Sequence, residues 1–173
     1  MLQKETMLQD TDDMRKVLEV NVMGGFVCAR TFARHAKALG TGGSIVFIAS
    51  ISGRICNEGV PCIGLNSSKA AIIQMARNMA CEWAHLDIRV NTLSPGDIRS
   101  TIPRARYEKD PAAEKEVARH NPMGRVSEPE EYRGAIVFML SNASSYMTGS
   151  DLVIDGGISL NEDCTNTLGR TAW

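Results

Sequence analysis

Several kinds of segment are missing from this 173-residue chain. No apolar run approaches the roughly 18 residues needed to span a bilayer. Residues 1–5 lack the hydrophobic core of a signal peptide. The formal net charge is −1, with acidic and basic residues mixed along the chain and no basic stripe that would neutralise phosphates. We therefore expect a cytoplasmic protein that binds neither nucleic acid nor membrane.

Metal-ligand spacing is also missing. The cysteines do not form a Cys-x-x-Cys pair, and no group of cysteines and histidines has the spacing of a metal-ligand set. We expect free, mostly buried thiols with no metal and no redox role. The five cysteines are Cys28, Cys56, Cys62, Cys81 and Cys164.

The length and the 43% hydrophobic content suit one domain that buries about two thirds of its unfolded surface. No internal repeat or linker divides the chain. We expect a single domain over residues 1–173, with loosely held ends at 1–11 and 159–173.

Apolar spacing predicts two long helices and two strands in the first half of the chain. Residues 12–39 and 67–84 carry apolar residues three and four apart, which is typical of helices. Residues 44–49 form an apolar run too short for a helix, which suits a buried parallel strand. Residues 87–93 predict a second strand, broken by Ser94-Pro95-Gly96.

The second half is less regular. Residues 99–124 are charged and weakly periodic, which fits either a mobile flap over a site or a plain surface excursion. Ser127 and Glu130 form a capping-box pattern around Pro129, which predicts a helix ending near residue 141. Residues 152–154 predict a third strand.

Strands that alternate with helices predict an α/β fold, with a parallel sheet between two helical layers. In such sheets the ligand crevice lies beyond the carboxyl ends of the strands. Ser50 follows the first predicted strand and Gly96 follows the second. Both are therefore expected at the crevice.

A set of short segments over residues 12–158 resembles the short-chain dehydrogenase/reductase family in order and spacing. The resemblance is nearest to fungal polyol dehydrogenases and sorbose reductases, and it implies a truncated Rossmann-like fold without the N-terminal dinucleotide-binding strands. The segments are Asn21–Gly24, Gly43–Val46 leading to Ser50, Ser67–Ala70, Ile88–Asn91, Ser94–Gly96, Pro122–Arg125, Ser127–Glu130, Thr148-Gly149 and Asp155–Gly157.

The chain departs from the family in its cofactor segment. The family begins with a strand, a glycine-rich turn and a helix that hold the cofactor pyrophosphate, and these residues contain no such turn. We therefore expect no cofactor to be bound by the chain alone. NADP would bind only if another chain completed the site.

The second departure is Leu65, four residues before Lys69. At that place the family has a tyrosine that donates a proton to the substrate oxygen. The resemblance implies roles for the residues that remain. Ser50 would hydrogen-bond the substrate oxygen, Asn21 would hold a water that relays protons to Lys69, and the vestigial nicotinamide contacts would be Lys69, Ile98 and Ser100.

Each of these residues also has a plain structural interpretation. Ser50 could be a loop cap and Asn21 a helix-packing residue, since buried polar groups need partners in any case. Lys69 is a candidate base if it is desolvated, and only a surface charge if it reaches water. Asp97, after the Pro-Gly turn, is the best candidate acid. Two further candidate donors are Cys62 and Tyr107.

The strand at 44–49 would leave an unpaired edge, which invites association. In the family, the helices that carry Asn21 and Lys69 pack against a second subunit as a four-helix bundle. We expect an obligate homodimer or tetramer through helices 12–39 and 67–84. The candidate interface residues are Met14, Val17, Cys28, Ile73, Met75 and Ala80.

Three hypotheses of function remain. The first is a cofactor-independent cyclisation, isomerisation or dehydration of an apolar metabolite, with Leu65 as an apolar wall. The second is a non-catalytic, dimerising remnant. The third is a fragment of an NADP-dependent ketone or polyol oxidoreductase, which Leu65 disfavours because truncation alone would not replace the tyrosine.

Overall fold

The computed structural model describes residues 4–57, 59–100 and 107–160. Cys164 and the rest of the predicted C-terminal tail lie outside these ranges. Short 3₁₀ turns join the main elements. The helices and strands are α1 (Thr11–Leu18), α2 (Gly24–Leu39), β1 (Gly43–Ile48), α3 (Ile63–Trp83), β2 (Ile88–Pro95), α4 (Pro111–His120), α5 (Arg133–Leu140) and β3 (Asp151–Ile154).

The three strands form a parallel sheet in the order β1-β2-β3. Gly43 is paired with Ile88, and Leu93 is paired with Leu152. Within the described ranges β1 pairs with β2 alone, so its other side is a sheet edge. The predicted α/β fold with a parallel sheet is confirmed.

Side chains that alternate along β2 bury both faces of the sheet. Ile88 and Val90 are fully buried against Ala76 and Ala80 of α3 and against alanines of α2. On the opposite face, Leu93 packs with Met139 of α5. Small residues on α2 and α3 let these helices lie close to the sheet, and this packing holds α3 in place against β2.

The predicted first helix is interrupted by a π-helical segment, Glu19–Met23, between α1 and α2. Asp10 caps α1 by accepting a hydrogen bond from Asp12 N at 2.7 Å. Gly40, with φ of 64°, ends α2 in the left-handed conformation that favours glycine. Short π segments often occur at functional sites, and this one carries Asn21.

Two predicted boundaries are corrected. The second helix begins at Ile63 rather than residue 67, so Leu65 lies inside its first turn. The second strand continues through Pro95 instead of ending at Leu93. Proline is tolerated at this last position because its nitrogen is not needed as a donor to β3: the donors on that side include Thr92 N and Gly96 N, and the pairing with β1 on the other side ends at Leu93.

The predicted capping box is displaced by one residue. The Glu131 carboxylate accepts a hydrogen bond from Glu128 N at 2.9 Å, whereas Ser127 Oγ donates to Asp97 O at 2.7 Å. The segment predicted as a flap or surface excursion contains α4, capped by Asp110. The proline and acidic residues that obscured its periodicity are helix-start signals.

The prediction of mostly buried thiols is wrong for the described cysteines. Cys28, Cys56 and Cys81 are exposed and only Cys62 is buried, although all four are free. Cys28 and Cys81 occupy the outward faces of α2 and α3.

In the described ranges no helix is long and apolar enough to cross a bilayer.

Two of the six interface residues named from sequence are corrected, and Cys28 is exposed as that prediction requires. Ile73 and Ala80 are buried in the core of the chain itself, and Met14 and Val17 line a cavity against α3. The large apolar side chains that α2 and the π segment expose are not among the residues named from sequence. They include Val20 (72% exposed), Met23 (44%) and Val27 (44%).

Candidate functional site

Ser50 lies immediately beyond β1, at the carboxyl edge of the sheet. Ala49 N still donates to Leu93 O at 2.8 Å, so the backbone is held in register up to this point. Ser50 then begins a single 3₁₀ turn, Ile51–Gly53, and its Oγ accepts from Ser52 N at 3.1 Å. Ser50 therefore caps this turn by accepting a hydrogen bond with one lone pair of its Oγ, as the loop-cap interpretation has it. Its O–H proton is still available for donation.

A close approach at Gly53 holds this turn against α3. A Cβ atom on Gly53 would lie 2.7 Å from the carbonyl carbon of Lys69 and 2.8 Å from Ala70 N. No side chain fits in that gap. The absence of a side chain at Gly53 therefore brings the Ser50 turn next to Lys69.

Lys69 connects α3 to the end of β1. Its Nζ donates a hydrogen bond to Ile48 O at 2.8 Å, two residues before Ser50. Burial lowers the pKa of the Lys69 ammonium, because desolvation disfavours the charged form. A lysine in this state releases a proton more readily than a surface lysine does.

Asn21 is connected to the start of α3 by two consecutive hydrogen bonds. Asn21 Nδ2 donates to Ser68 Oγ at 3.0 Å, and Ser68 Oγ donates to Leu65 O at 2.8 Å. Ser68 is fully buried. The amide of Asn21 has further donor and acceptor capacity, which it can direct into the space beside Leu65.

Leu65 stands one helical turn before Lys69, and the two side chains share a face of α3. Leu65 and Gly64 line a cavity of about 220 Å³ together with Met14 and Val17 of α1. The polar residues on the wall of this cavity are Gln9, Asn21 and Cys62. The structure therefore brings Asn21 and Leu65 to one cavity, and Ser50 and Lys69 to the adjoining strand end.

Asp97 lies at the same edge of the sheet, two residues beyond the end of β2. It is an exposed residue, yet desolvation by its surroundings raises the pKa of its carboxyl. No hydrogen bond between described residues joins Asp97 to Ser50 or Lys69. Ile98 forms an isolated bridge with Ser127, and Ser100 N donates to Ile98 O at 2.8 Å.

Cys62 is nearer to the site than its sequence suggested. Its buried Sγ lies 2.9 Å from Asn66 Oδ1, and burial together with nearby Cys56 raises the pKa of its thiol. Cys62 is therefore a neutral thiol rather than a nucleophilic thiolate. The sequence did contain a signal for this proximity, since Cys62 stands three residues before Leu65. That spacing is about one helical turn once α3 begins at Ile63. Tyr107, the other candidate donor, is buried.

An ion pair that sequence reasoning missed supports the Ser50 turn from the sheet side. Arg54, the residue that ends this turn, places its Nε 2.7 Å from Asp151 Oδ2, and the Asp151 side chain is 1% exposed. The hydroxyls of Thr92 and Ser94 each donate to Asp151 Oδ1 at 2.7 Å. Nothing in the sequence spacing pairs Arg54 with Asp151.

Residues 2–159 match the family described as enoyl-(acyl carrier protein) reductase. A short-chain dehydrogenase/reductase notP′ from Aspergillus versicolor is 45% identical over 147 residues, which cover 83% of this chain and 50% of that protein. D-arabinitol 2-dehydrogenase (ribulose-forming) from Candida tropicalis is 43% identical, with 82% and 50% covered. The chain belongs to the short-chain dehydrogenase/reductase family.

Solved structures agree with this assignment. A short-chain type dehydrogenase/reductase from Mycobacterium marinum is 37% identical with a TM-score of 0.84, covering 92% of this chain and 61% of that one. A gluconate 5-dehydrogenase from Burkholderia cenocepacia, in complex with NADP and tartrate, is 28% identical with a TM-score of 0.85 and the same coverage. This chain spans about half the length of the curated relatives it matches.

Substitution of Gly53 tests the close approach that holds the Ser50 turn. Gly53→Ala should lower the free energy of unfolding by about 3 kcal/mol, because a Cβ there overlaps the backbone of α3. The matched control is Gly134→Ala in α5, where an added Cβ meets nothing within 4 Å. The control should be unchanged or up to about 1 kcal/mol more stable. Urea unfolding at one fixed protein concentration measures both, and equal stability of the two variants would contradict the proposed packing.

Proposed function

We propose that this chain is a short-chain dehydrogenase/reductase relative that transforms a small apolar metabolite without a redox cofactor. Leu65 carries the proposal. An apolar side chain stands one helical turn before Lys69, where the family's proton donor belongs, and it lines a cavity next to Asn21. Leucine has no proton to give, so a carbonyl reduction would lack its acid.

The polar groups around Leu65 are suited to orienting a ligand. Ser50 keeps an O–H that can donate to a ligand oxygen, and the amide of Asn21 keeps unused donor and acceptor capacity. Lys69 is already bonded to Ile48 O, and burial lowers its pKa, which makes it a candidate to accept or return a proton. Positioning by such groups accelerates reactions whose barrier is largely geometric.

The reaction class that fits this set is internal rearrangement or loss of water. Isomerisation, cyclisation and dehydration move protons and bonds within the substrate and transfer no hydride, so they require no nicotinamide. In this scheme Ser50, Asn21 and Lys69 orient the substrate, and Leu65 forms an apolar wall beside it. Asp97 would serve as an acid only for a substrate long enough to reach it.

A second candidate is a polyol or ketone oxidoreductase in which residues outside these 173 complete the nicotinamide site. The identity of 43% to D-arabinitol 2-dehydrogenase favours it, as does the survival of Ser50, Asn21 and Lys69 at the family's positions. Under this alternative Lys69, Ile98 and Ser100 would contact the cofactor, which would be NADP or NAD. Restoring the proton donor separates the two candidates.

The separating experiment joins this chain to the part of D-arabinitol 2-dehydrogenase from Candida tropicalis that it does not match, with Leu65 kept, with Leu65→Tyr, and with Leu65→Phe as the control that has the ring and lacks the hydroxyl. Each fusion is incubated with ribulose or L-xylulose and with NADH or NADPH, and the nicotinamide absorbance is followed. We expect oxidation by the Leu65→Tyr fusion and none by the fusions with Leu65 or Phe, because those two lack the proton donor. Turnover by the fusion that keeps Leu65 would favour the oxidoreductase instead.

We also propose that a second copy of the chain covers the exposed apolar side chains near Asn21. Val20 and Val27 are large apolar residues that this part of the chain leaves in water, and Ile48 at the edge of β1 is 50% exposed. Burying such surface against another copy is favourable at about 25 cal/mol per Å² of apolar area. The interface would use α2 and α3 and would also protect the edge of the sheet.

Light scattering at micromolar protein concentration tests this association. The unmodified chain should have the mass of a dimer or tetramer, and Val27→Asp should lower that mass because it places a charge in the interface. Val137→Asp, at a residue of α5 that is 66% exposed, is the control and should leave the mass unchanged. A monodisperse monomer of the unmodified chain would contradict the proposal.

A further inference from the structure

We infer that the cavity between α1 and α3 binds an uncharged, monocyclic molecule that carries a single hydrogen-bonding group. The inference rests on the proposed function, since it assigns a ligand class to the cavity that has Leu65 as a wall. It starts from the dimensions of this cavity and the chemistry of its walls.

The size of the cavity sets the size of the ligand. Its volume is about 220 Å³. An engineered cavity of roughly 150 Å³ in another protein binds benzene, so this one has room for a six-membered ring with one substituent. A bicyclic or acyl-chain ligand would have to extend beyond its walls.

The charge of the ligand follows from the lining residues. Met14, Val17, Gly64 and Leu65 present apolar surface, and none of the described residues on the wall of the cavity is acidic or basic. A charged ligand would lose its hydration there without gaining a counter-charge, which is strongly unfavourable. The pKa of the Cys62 thiol is raised by burial, so this residue adds no charge either.

The polar part of the ligand follows from the same walls. Asn21 uses one amide proton on Ser68 Oγ and retains a second proton and its carbonyl oxygen, and Gln9 adds another amide. These groups suit one carbonyl or hydroxyl. A polyol such as D-arabinitol has a hydroxyl on every carbon, and most of them would be buried without partners. The inferred ligand class therefore differs from the substrate that the name of the Candida relative describes.

The test uses cyclohexanone as the probe and the methyl resonance of Met14 as the reporter. Met14 Sδ lies 3.5 Å from the place a Cβ on Gly64 would occupy, so this side chain borders the cavity closely. Cyclohexanone should shift the Met14 methyl resonance with a dissociation constant of about 1 mM, a value typical for a ligand this small. D-arabinitol at the same concentrations should leave it unshifted.

Two variants locate the binding. Val17→Trp fills the cavity and should weaken cyclohexanone binding by about tenfold or more. Its control, Val137→Trp on the exposed surface of α5, should bind as the unmodified chain does. Asn21→Leu removes the amide and should weaken cyclohexanone more than it weakens benzene. If Val17→Trp fails to fold, this comparison of cyclohexanone with benzene in Asn21→Leu tests the inference instead.

Unchanged binding in Val17→Trp, or equal losses of cyclohexanone and benzene in Asn21→Leu, would overturn the inference. So would a Met14 resonance that cyclohexanone does not move. These failures are distinct from a failure of the proposed function, because nicotinamide oxidation by the fusion that keeps Leu65 would refute that function while leaving cyclohexanone binding measurable.

Discussion

The candidate site depends on one close approach, that of the Ser50 turn to the backbone of α3. Gly53 lies where any side chain would overlap the Lys69 peptide, and Lys69 reaches back to Ile48 O on the same strand end. These two contacts connect β1, the turn and α3 into one unit. The alanine-rich packing of α3 on β2 then fixes this unit relative to the sheet.

The proposed loss of a proton donor at Leu65 concerns the chemistry of this unit and not its framework. Lys69, Ser50 and Asn21 each make an internal hydrogen bond that holds the side chain in place. Under the proposed function, the group that would exchange a proton with the substrate is gone from between them. Such a site would orient an uncharged molecule next to a cavity whose described walls are mainly apolar.

Much of the fold could be predicted from the sequence, because short apolar runs and three-and-four spacing directly reflect burial. The parallel sheet, its edge at β1 and the inward residue Met139 of α5 followed from such patterns. The start of α3 did not, because Ile63 and Gly64 carry no capping signal. The earlier start changed the site, since it placed Leu65 in the first turn of α3, next to Cys62 at the helix N-cap and on the cavity that α1 also lines.

Contacts between distant residues could not be predicted from the sequence. The Arg54 and Asp151 ion pair depends on how the turn after β1 lies against β3. The packing of Met14 and Val17 against Gly64, and the exposure of Val27 instead of Ile73, depend on the rotation of helices about their axes. A single sequence gives the apolar stripe of a helix but not the neighbour that each part of the stripe meets. The site residues named from sequence were therefore only partly joined, with Asp97 left apart from the others.

The central claim is that these 173 residues form no self-sufficient nicotinamide site. Calorimetric titration of the chain with NADPH and with NADH tests it most directly, with the gluconate 5-dehydrogenase from Burkholderia cenocepacia as the positive control. The account predicts binding heat for the control and none for this chain. Binding of either nucleotide to this chain with micromolar affinity would contradict it.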